Sequence, residues 1–119
     1  MADLNRNILI VEDDNDIRAT EKDLLESEGY QVEVASNGVE ALEVLRHSHP
    51  ALIMLDLMMP GMNGWQFMDK EREILKKEGI PVVVTTAGGT AVPADVAGVI
   101  TKPFSIASLL ETVNSLTHR

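Results

Sequence analysis

Five short apolar segments, each followed by charged or turn-forming residues, predict β-strands in this chain. They lie at residues 8–11, 32–35, 51–56, 81–85 and 99–101. The third is an unbroken apolar run, which is typical of a strand buried on both faces of a parallel sheet. The second alternates apolar and polar residues, so we expect it nearer an edge of the sheet.

The intervals between these segments carry helical periodicity. Helices are predicted from about residue 14 to 28, from 37 to a point before Pro50, from about 64 to 78, and from 105 to about 117. Their predicted apolar contacts are Ile17, Leu24, Leu25, Val39, Ala41, Leu42, Leu45, Phe67, Met68, Ile74, Leu75, Leu109, Leu110, Val113 and Leu116.

The alternation of strands and helices predicts an α/β fold. We expect a doubly wound, five-stranded parallel sheet with the flavodoxin-like order 2-1-3-4-5 and helices on both faces. The interval 86–98 contains three glycines and Pro93 and supports at most one helical turn near Pro93. The fourth helix is therefore predicted to be shortened or absent, within a single domain spanning residues 1–119.

Net charge and amino-acid composition argue against several classes of protein. The net charge of −9 argues against direct nucleic-acid binding, which requires clustered Lys and Arg. No apolar run approaches the ~20 residues of a membrane span, so no membrane association is expected. The first residues are polar and acidic, unlike a signal peptide, and the chain has no cysteine. These features lead us to expect a cytoplasmic protein.

Carboxylates follow two predicted strands at the same edge of the sheet. Glu12 and Asp13 follow the first strand, and Asp56 ends the third. In a sheet ordered 2-1-3-4-5 these strand ends flank the switch point, where such folds bind ligands. Two carboxylates at ~4 Å repel by roughly 4 kcal/mol at an effective dielectric constant of about 20. We therefore expect a cation to join them, and oxygen ligands that leave room for water and phosphate are typical of Mg²⁺.

Two further side chains are expected at the same crevice. Thr86 ends the fourth predicted strand and Lys102 ends the fifth. A hydroxyl, an ammonium and a divalent ion around one carboxylate would neutralise and orient three phosphoryl oxygens. Asp56 would then be a nucleophile that forms an acyl phosphate.

Four motifs resemble, in order and spacing, the receiver domain of two-component response regulators. The resemblance spans nearly the whole chain, and the motifs are Ile-Leu-Ile-Val-Glu12-Asp13-Asp14, Leu-Asp56-Leu-Met-Met-Pro60-Gly61-Met-Asn-Gly64, Pro81-Val-Val-Val-Thr-Thr86-Ala87 and Thr-Lys102-Pro103-Phe104. The resemblance implies that Asp56 accepts a phosphoryl group from the phosphohistidine of a sensor histidine kinase or a phosphotransfer protein. It also implies slow self-dephosphorylation, so that the chain catalyses only its own modification and is not a turnover enzyme.

The resemblance further implies a role for each site residue. Glu12, Asp13, Asp56 and the backbone carbonyl of Met58 would form the Mg²⁺ shell, some of them through water. Thr86 and Lys102 would bind the phosphoryl oxygens, and the Lys102–Pro103 peptide bond is expected to be cis.

Two departures from the family pattern concern how a signal leaves the site. Val99 stands where receivers usually carry an aromatic residue, three positions before Lys102, and the segment 87–98 is short and Gly-rich. We expect phosphorylation to order residues 88–98 through Thr86 rather than to move an aromatic ring. The downstream partner is expected to be a protein of unknown identity, and whether the chain is stand-alone or excised from a larger protein is left open.

Two other function classes share this fold. A flavodoxin-like cofactor binder needs phosphate-binding amides and hydroxyls after the first strand, where Glu12 and Asp13 would repel phosphate. A phosphorylation-independent interaction module is the stronger alternative, favoured by Val99 and the degraded fourth helix and disfavoured by the complete set of site residues.

Overall fold

The computed structural model describes residues 6–59, 61–87 and 91–117. Its strands are β1 (Asn7–Val11), β2 (Gln31–Ala35), β3 (Leu52–Asp56), β4 (Val82–Ala87) and β5 (Gly98–Lys102). Its helices are α1 (Asn15–Ser27), α2 (Gly38–Leu45), α3 (Gly64–Glu78) and α4 (Ile106–Thr117). None of these helices is both long and apolar enough to cross a membrane.

The five strands form one parallel sheet in the order β2-β1-β3-β4-β5, as predicted. The central strand β3 is buried along its whole length, which accounts for its unbroken apolar run. The alternating strand β2 lies at an edge and is partly exposed, also as predicted. The carboxyl ends of β1 and β3 therefore lie side by side.

Each face of the sheet has its own hydrophobic core, because successive side chains of a strand point to opposite faces. In β1, Leu9 and Val11 belong to the core beneath α2 and α3. Ile8 and Ile10 belong to the core beneath α1 and α4. Helices thus cover both faces of the sheet, and the polar side chains Glu12, Asp13 and Asp56 lie at the strand ends.

Capping residues in the sequence determine where helices α1 and α3 begin. The Asp14 side chain accepts hydrogen bonds from the backbone N–H groups of Asp16 and Ile17, so Asp14 is the N-cap of α1. Asn63 and Gln66 form a reciprocal capping box at the start of α3. These caps place the first turns of α1 and α3 directly after the loops that follow β1 and β3.

Two predicted apolar contacts are wrong. Val39 is 62% exposed, because it lies about 200° around α2 from the buried Ala41. Ile74 is 54% exposed, because it borders the groove between α2 and α3 instead of lying beneath the helix. The end of β4 also differs, since this strand continues through Thr86 to Ala87. Helix α2 ends at Leu45, before Pro50 as predicted.

The described residues 91–97 contain a turn at Ala94–Asp95 and no helix, which agrees with the predicted loss of the fourth helix. Residues 88–90 of the same predicted segment, and Pro60 of the third motif, lie outside the described residues. The Arg72 guanidinium on α3 holds Asp95, with 2.5 Å between Nε and Oδ2. Segment 91–97 is therefore attached to α3 by a charged pair.

Candidate functional site

Three carboxyl groups converge at the switch point of the sheet. Glu12 and Asp13 directly follow β1, and Asp56 is the last residue of β3. One carboxylate oxygen from each lies within 4.8 Å of the others. Glu12 and Asp56 are buried, whereas Asp13 is exposed. The structure thus brings together the three acidic residues that the sequence placed at these strand ends.

Lys102, at the end of β5, reaches into this cluster. Its Nζ lies 2.7 Å from Glu12 Oε1 and 3.6 Å from Asp56 Oδ1. The other Glu12 oxygen accepts a hydrogen bond from the Asp14 N–H at 3.2 Å. The ammonium therefore partly neutralises two buried carboxylates, which would otherwise repel each other.

The backbone around Asp56 is closely constrained. Asp56 Oδ1 accepts a hydrogen bond from the Met58 N–H at 3.1 Å. A Cβ atom on Gly64 would lie 2.8 Å from Leu57 Cα and 2.9 Å from the Asp56 carbonyl oxygen, so only glycine allows α3 to start this close to the strand. On the other side of the crevice, the Lys102–Pro103 peptide bond is cis, as expected.

Met58 joins this cluster through its backbone N–H, whereas the Thr86 hydroxyl is bonded elsewhere. Thr86 is buried in β4, and its hydroxyl donates to the Ala87 carbonyl at 3.2 Å. In the described part of the chain, no hydrogen bond joins this hydroxyl to Asp56 or Lys102. The Met58 side chain is 66% exposed. A role for Thr86 at the crevice therefore requires its hydroxyl to change partner.

Burial changes the pKa values of two ionisable groups in the cluster, Asp56 and Lys102. Burial and the neighbouring Glu12 carboxyl raise the pKa of Asp56 to about 7, against the opposing effects of the Met58 N–H and Lys102. Burial lowers the pKa of Lys102, but the Glu12 hydrogen bond and the surrounding carboxylates outweigh burial and leave this pKa above its ordinary value. The cluster thus holds more negative groups than its one ammonium can compensate.

Sequence reasoning missed a fourth carboxyl group, Glu21 in α1. This side chain is 1% exposed, and burial, followed by the charge of Glu12, raises its pKa to about 8. The available signal was its position on the helix, one turn after Ile17 and one turn before the buried Leu25. Its residue type suggested a surface charge, and the helical period indicated a buried position.

The donor set fits a hard divalent cation. Glu12, Asp13 and Asp56 offer only oxygen atoms, the ligands that Mg²⁺ prefers, and the exposed Asp13 gives access from solvent. A cation there would relieve the repulsion among the three carboxylates. Chemically, the crevice combines buried carboxylates, an ammonium and a set of oxygen ligands that fits a divalent cation.

Comparison with known proteins gives one family. Residues 8–114 match the model of the response regulator receiver domain family. Response regulator Rre1 of Synechocystis is 39% identical over 84 residues, which cover 70% of this chain and 36% of that protein. The chain spans about half the length of other curated relatives, such as the CpxR homolog of Haemophilus influenzae.

Solved structures of the same class superpose on the fold. The receiver domain of Francisella response regulator 1452 has a TM-score of 0.86 and 29% identity, covering 97% of this chain and 98% of that one. TrrA of Thermotoga maritima, solved in complex with Mg²⁺ and BeF, has a TM-score of 0.83 and 30% identity, covering 93% of this chain and 98% of that one.

Proposed function

The chain belongs to the response regulator receiver domain family, and from this premise we propose that it accepts a phosphoryl group on Asp56. One observation carries the proposal: the Asp56 carboxylate ends the central strand within 3.6 Å of the Lys102 ammonium and beside two further carboxylates. This places a nucleophile next to a cation that can neutralise the incoming group.

The proposed transfer is a nucleophilic displacement at phosphorus. An Asp56 carboxylate oxygen attacks the phosphoryl group of a phosphohistidine, the P–N bond breaks, and the imidazole leaves with the electron pair. The product is an acyl phosphate on Asp56 and a free histidine on the donor. Slow hydrolysis of the acyl phosphate returns the resting chain, so the protein turns over no separate substrate.

The residues of the crevice have distinct roles in this step. Glu12, Asp13, Asp56 and the Met58 carbonyl would hold Mg²⁺, which supplies charge neutralisation for the phosphoryl oxygens when bound. Lys102 exchanges part of its contact with Glu12 for a phosphoryl oxygen. The Thr86 hydroxyl leaves the Ala87 carbonyl and donates to another phosphoryl oxygen.

The proposed partners follow from this chemistry. The phosphoryl donor is a sensor histidine kinase or a phosphotransfer protein. The receiver of the signal is a protein of unknown identity. TrrA, a related receiver, is described as a complex with Mg²⁺ and BeF, which supports the proposed metal and phosphoryl site by analogy.

Intact mass spectrometry tests the proposal. The wild-type chain and Asp56→Asn are incubated with acetyl phosphate, with and without Mg²⁺. We expect a gain of one phosphoryl group only when both Asp56 and Mg²⁺ are present. An equal phosphoryl gain in Asp56→Asn and in the wild type would show that another residue is phosphorylated.

A phosphorylation-independent interaction module is the second candidate. It is favoured by the Thr86 hydroxyl, which is bonded within its own strand, and by segment 91–97, which Arg72 ties to α3. Absence of any phosphoryl gain in the wild type would favour this alternative.

A further inference from the structure

Glu21 is a buried acidic residue that has no role in the proposed phosphoryl transfer. Its Oε2 is the single buried side-chain oxygen or nitrogen without a hydrogen-bond partner in the described ranges 6–59, 61–87 and 91–117. An unpartnered buried polar atom destabilises the folded state, and native proteins contain few of them. A leucine would fill the same helix position without this cost, so the acid calls for a functional explanation.

Glu21 belongs to helix α1, which borders Lys102, and the Lys102 ammonium makes its ion pairs with Glu12 and Asp56. A groove of about 470 Å³ between α1 and the chain after β5 is lined by Ile17, Thr20, Lys102 and Phe104. Glu21 is the next residue after Thr20 and lies one turn beyond Ile17, on the buried side of α1. The neighbouring charges that act on the Glu21 carboxyl are those of Glu12, Lys102 and Asp56.

The resting contacts of Lys102 compete with metal binding. Its ammonium holds Glu12 Oε1 at 2.7 Å and lies 3.6 Å from Asp56 Oδ1. Both carboxylates belong to the cluster that would hold the divalent ion. Two cations sharing the same oxygens repel each other, so metal binding requires the ammonium to move or to gain another acceptor.

We propose that Glu21 is a positioning residue for Lys102, offering its ammonium a second, buried acceptor when Glu12 and Asp56 bind a divalent metal ion. The ammonium carries three donors, so one can turn to Glu21 while another turns to a phosphoryl oxygen. The inference rests on the proposed function for its purpose, but the proposed interaction of Glu21 with Lys102 can be tested without phosphorylation. Burial raises the pKa of Glu21 to about 8, so at pH 7 the carboxyl is mainly neutral and offers its carbonyl oxygen.

Two substitutions separate an acceptor role from a packing role. Glu21→Gln keeps the size of the side chain and a carbonyl acceptor. Glu21→Leu keeps burial and removes the acceptor. Asp23→Leu is the matched control, because Asp23 is an exposed acid on the same helix.

Mg²⁺ binding is the first readout, followed in the full chain at pH 7 by the fluorescence of Trp65, the only tryptophan, in the first turn of α3. We expect Glu21→Leu to weaken Mg²⁺ affinity about tenfold, the effect of losing one hydrogen bond to a charged group. Glu21→Gln and Asp23→Leu should remain within about twofold of the wild type.

The Lys102 ammonium is the second readout, observed by ¹H–¹⁵N NMR at pH 7 with Mg²⁺ alone. Its resonance should shift on Mg²⁺ addition in the wild type and in Glu21→Gln, and the shift should differ in Glu21→Leu. If Glu21→Leu binds Mg²⁺ like the wild type and its Lys102 resonance behaves identically, Glu21 is a core residue only and the proposal is overturned.

Equal impairment of Glu21→Gln and Glu21→Leu would also overturn it, because the amide retains an acceptor. These readouts are independent of the proposed function. If the wild type gains no phosphoryl group while Mg²⁺ binding and the Lys102 resonance still depend on Glu21, phosphorylation fails and the positioning role stands.

Discussion

The charged residues of the crevice stabilise one another only as a group. Lys102 lies between Glu12 and Asp56, and burial strengthens each charge interaction relative to water. Sequence patterns could predict Glu12, Asp13 and Asp56 together, because each follows an apolar strand whose end the fold fixes. Glu21 follows no strand, and its two sequence signals conflict, because the helical period indicates a buried position and the acidic residue type suggests a surface charge.

Removing the ammonium should separate metal binding from phosphoryl transfer. In Lys102→Ala, Glu12 and Asp56 lose the ammonium that competes for their oxygens, so we expect Mg²⁺ to bind at least as tightly as in the wild type. The rate of phosphorylation by acetyl phosphate should fall by about tenfold or more, since a phosphoryl-oxygen contact is lost. Lys77→Ala, an exposed lysine on α3, is the control. An unchanged phosphorylation rate in Lys102→Ala would show that Lys102 takes no part in the proposed phosphoryl transfer.

Glu21 should also affect how stability depends on pH. Its pKa is about 8 in the folded chain, above its ordinary value of 4.5, so between these values the folded state holds the extra proton. The resulting stabilisation is fully present below about pH 4.5 and is lost as the pH rises through about 8.

Urea unfolding of the metal-free chain at pH 5 and pH 8 measures this effect. The wild type should lose more unfolding free energy over this interval than Glu21→Leu, which lacks the titrating group. Asp56 contributes in the same direction in both proteins and largely cancels in the comparison. Equal losses in the two proteins would argue against a buried, proton-holding Glu21.

At the scale of elements, the sequence predicted the strands better than the helix faces. The strand β3 is apolar throughout because both of its faces are covered, so the pattern and the structure agree. Val39 is apolar yet exposed because it lies on the opposite side of α2 from Ala41, and Ile74 is exposed because helical periodicity does not show where the underlying surface ends. The three glycines and Pro93 of the interval 86–98 indicated that its described part, 91–97, lacks a helix. The attachment of this part through Asp95 depends on Arg72, 23 residues away in sequence.

The junction of β3 and α3 should tolerate no side chain at position 64. In Gly64→Ala the new Cβ would meet the backbone of Asp56 and Leu57, which cannot move cheaply. We expect a loss of about 1–3 kcal/mol of unfolding free energy, measured in urea, and slower phosphorylation. Gly98→Ala is the control, because its Cβ would make only ordinary contacts at 3.6 Å or more. Equal stability of both variants would contradict the close packing described here.

Segment 91–97 should respond to the phosphoryl site. If Thr86 changes partner on phosphorylation, the chain after β4 is pulled towards the crevice and its backbone becomes more ordered. Amide hydrogen exchange across 91–97 should slow when Mg²⁺ and beryllofluoride are added. Asp56→Asn under the same conditions is the control and should show no change. Unchanged exchange in the wild type would exclude this route for the signal.

On the scale of the whole molecule, the order β2-β1-β3-β4-β5 determines what can meet. It places the end of β1 beside the end of β3, and brings Lys102 from β5 across to residues 90 positions earlier in the sequence. The net charge of −9 favours accumulation of cations around the chain, an effect that salt weakens.

A crystal structure of the chain with Mg²⁺ and beryllofluoride tests the central claim most directly. We predict beryllium on an Asp56 carboxylate oxygen, with Lys102 Nζ and Thr86 Oγ1 at hydrogen-bond distance, about 2.7–3.2 Å, from the fluorine atoms. Mg²⁺ should lie among Glu12, Asp13 and Asp56. A crevice that binds neither group, with Thr86 still bonded to Ala87 and Lys102 still on Glu12, would contradict a phosphoryl-accepting site.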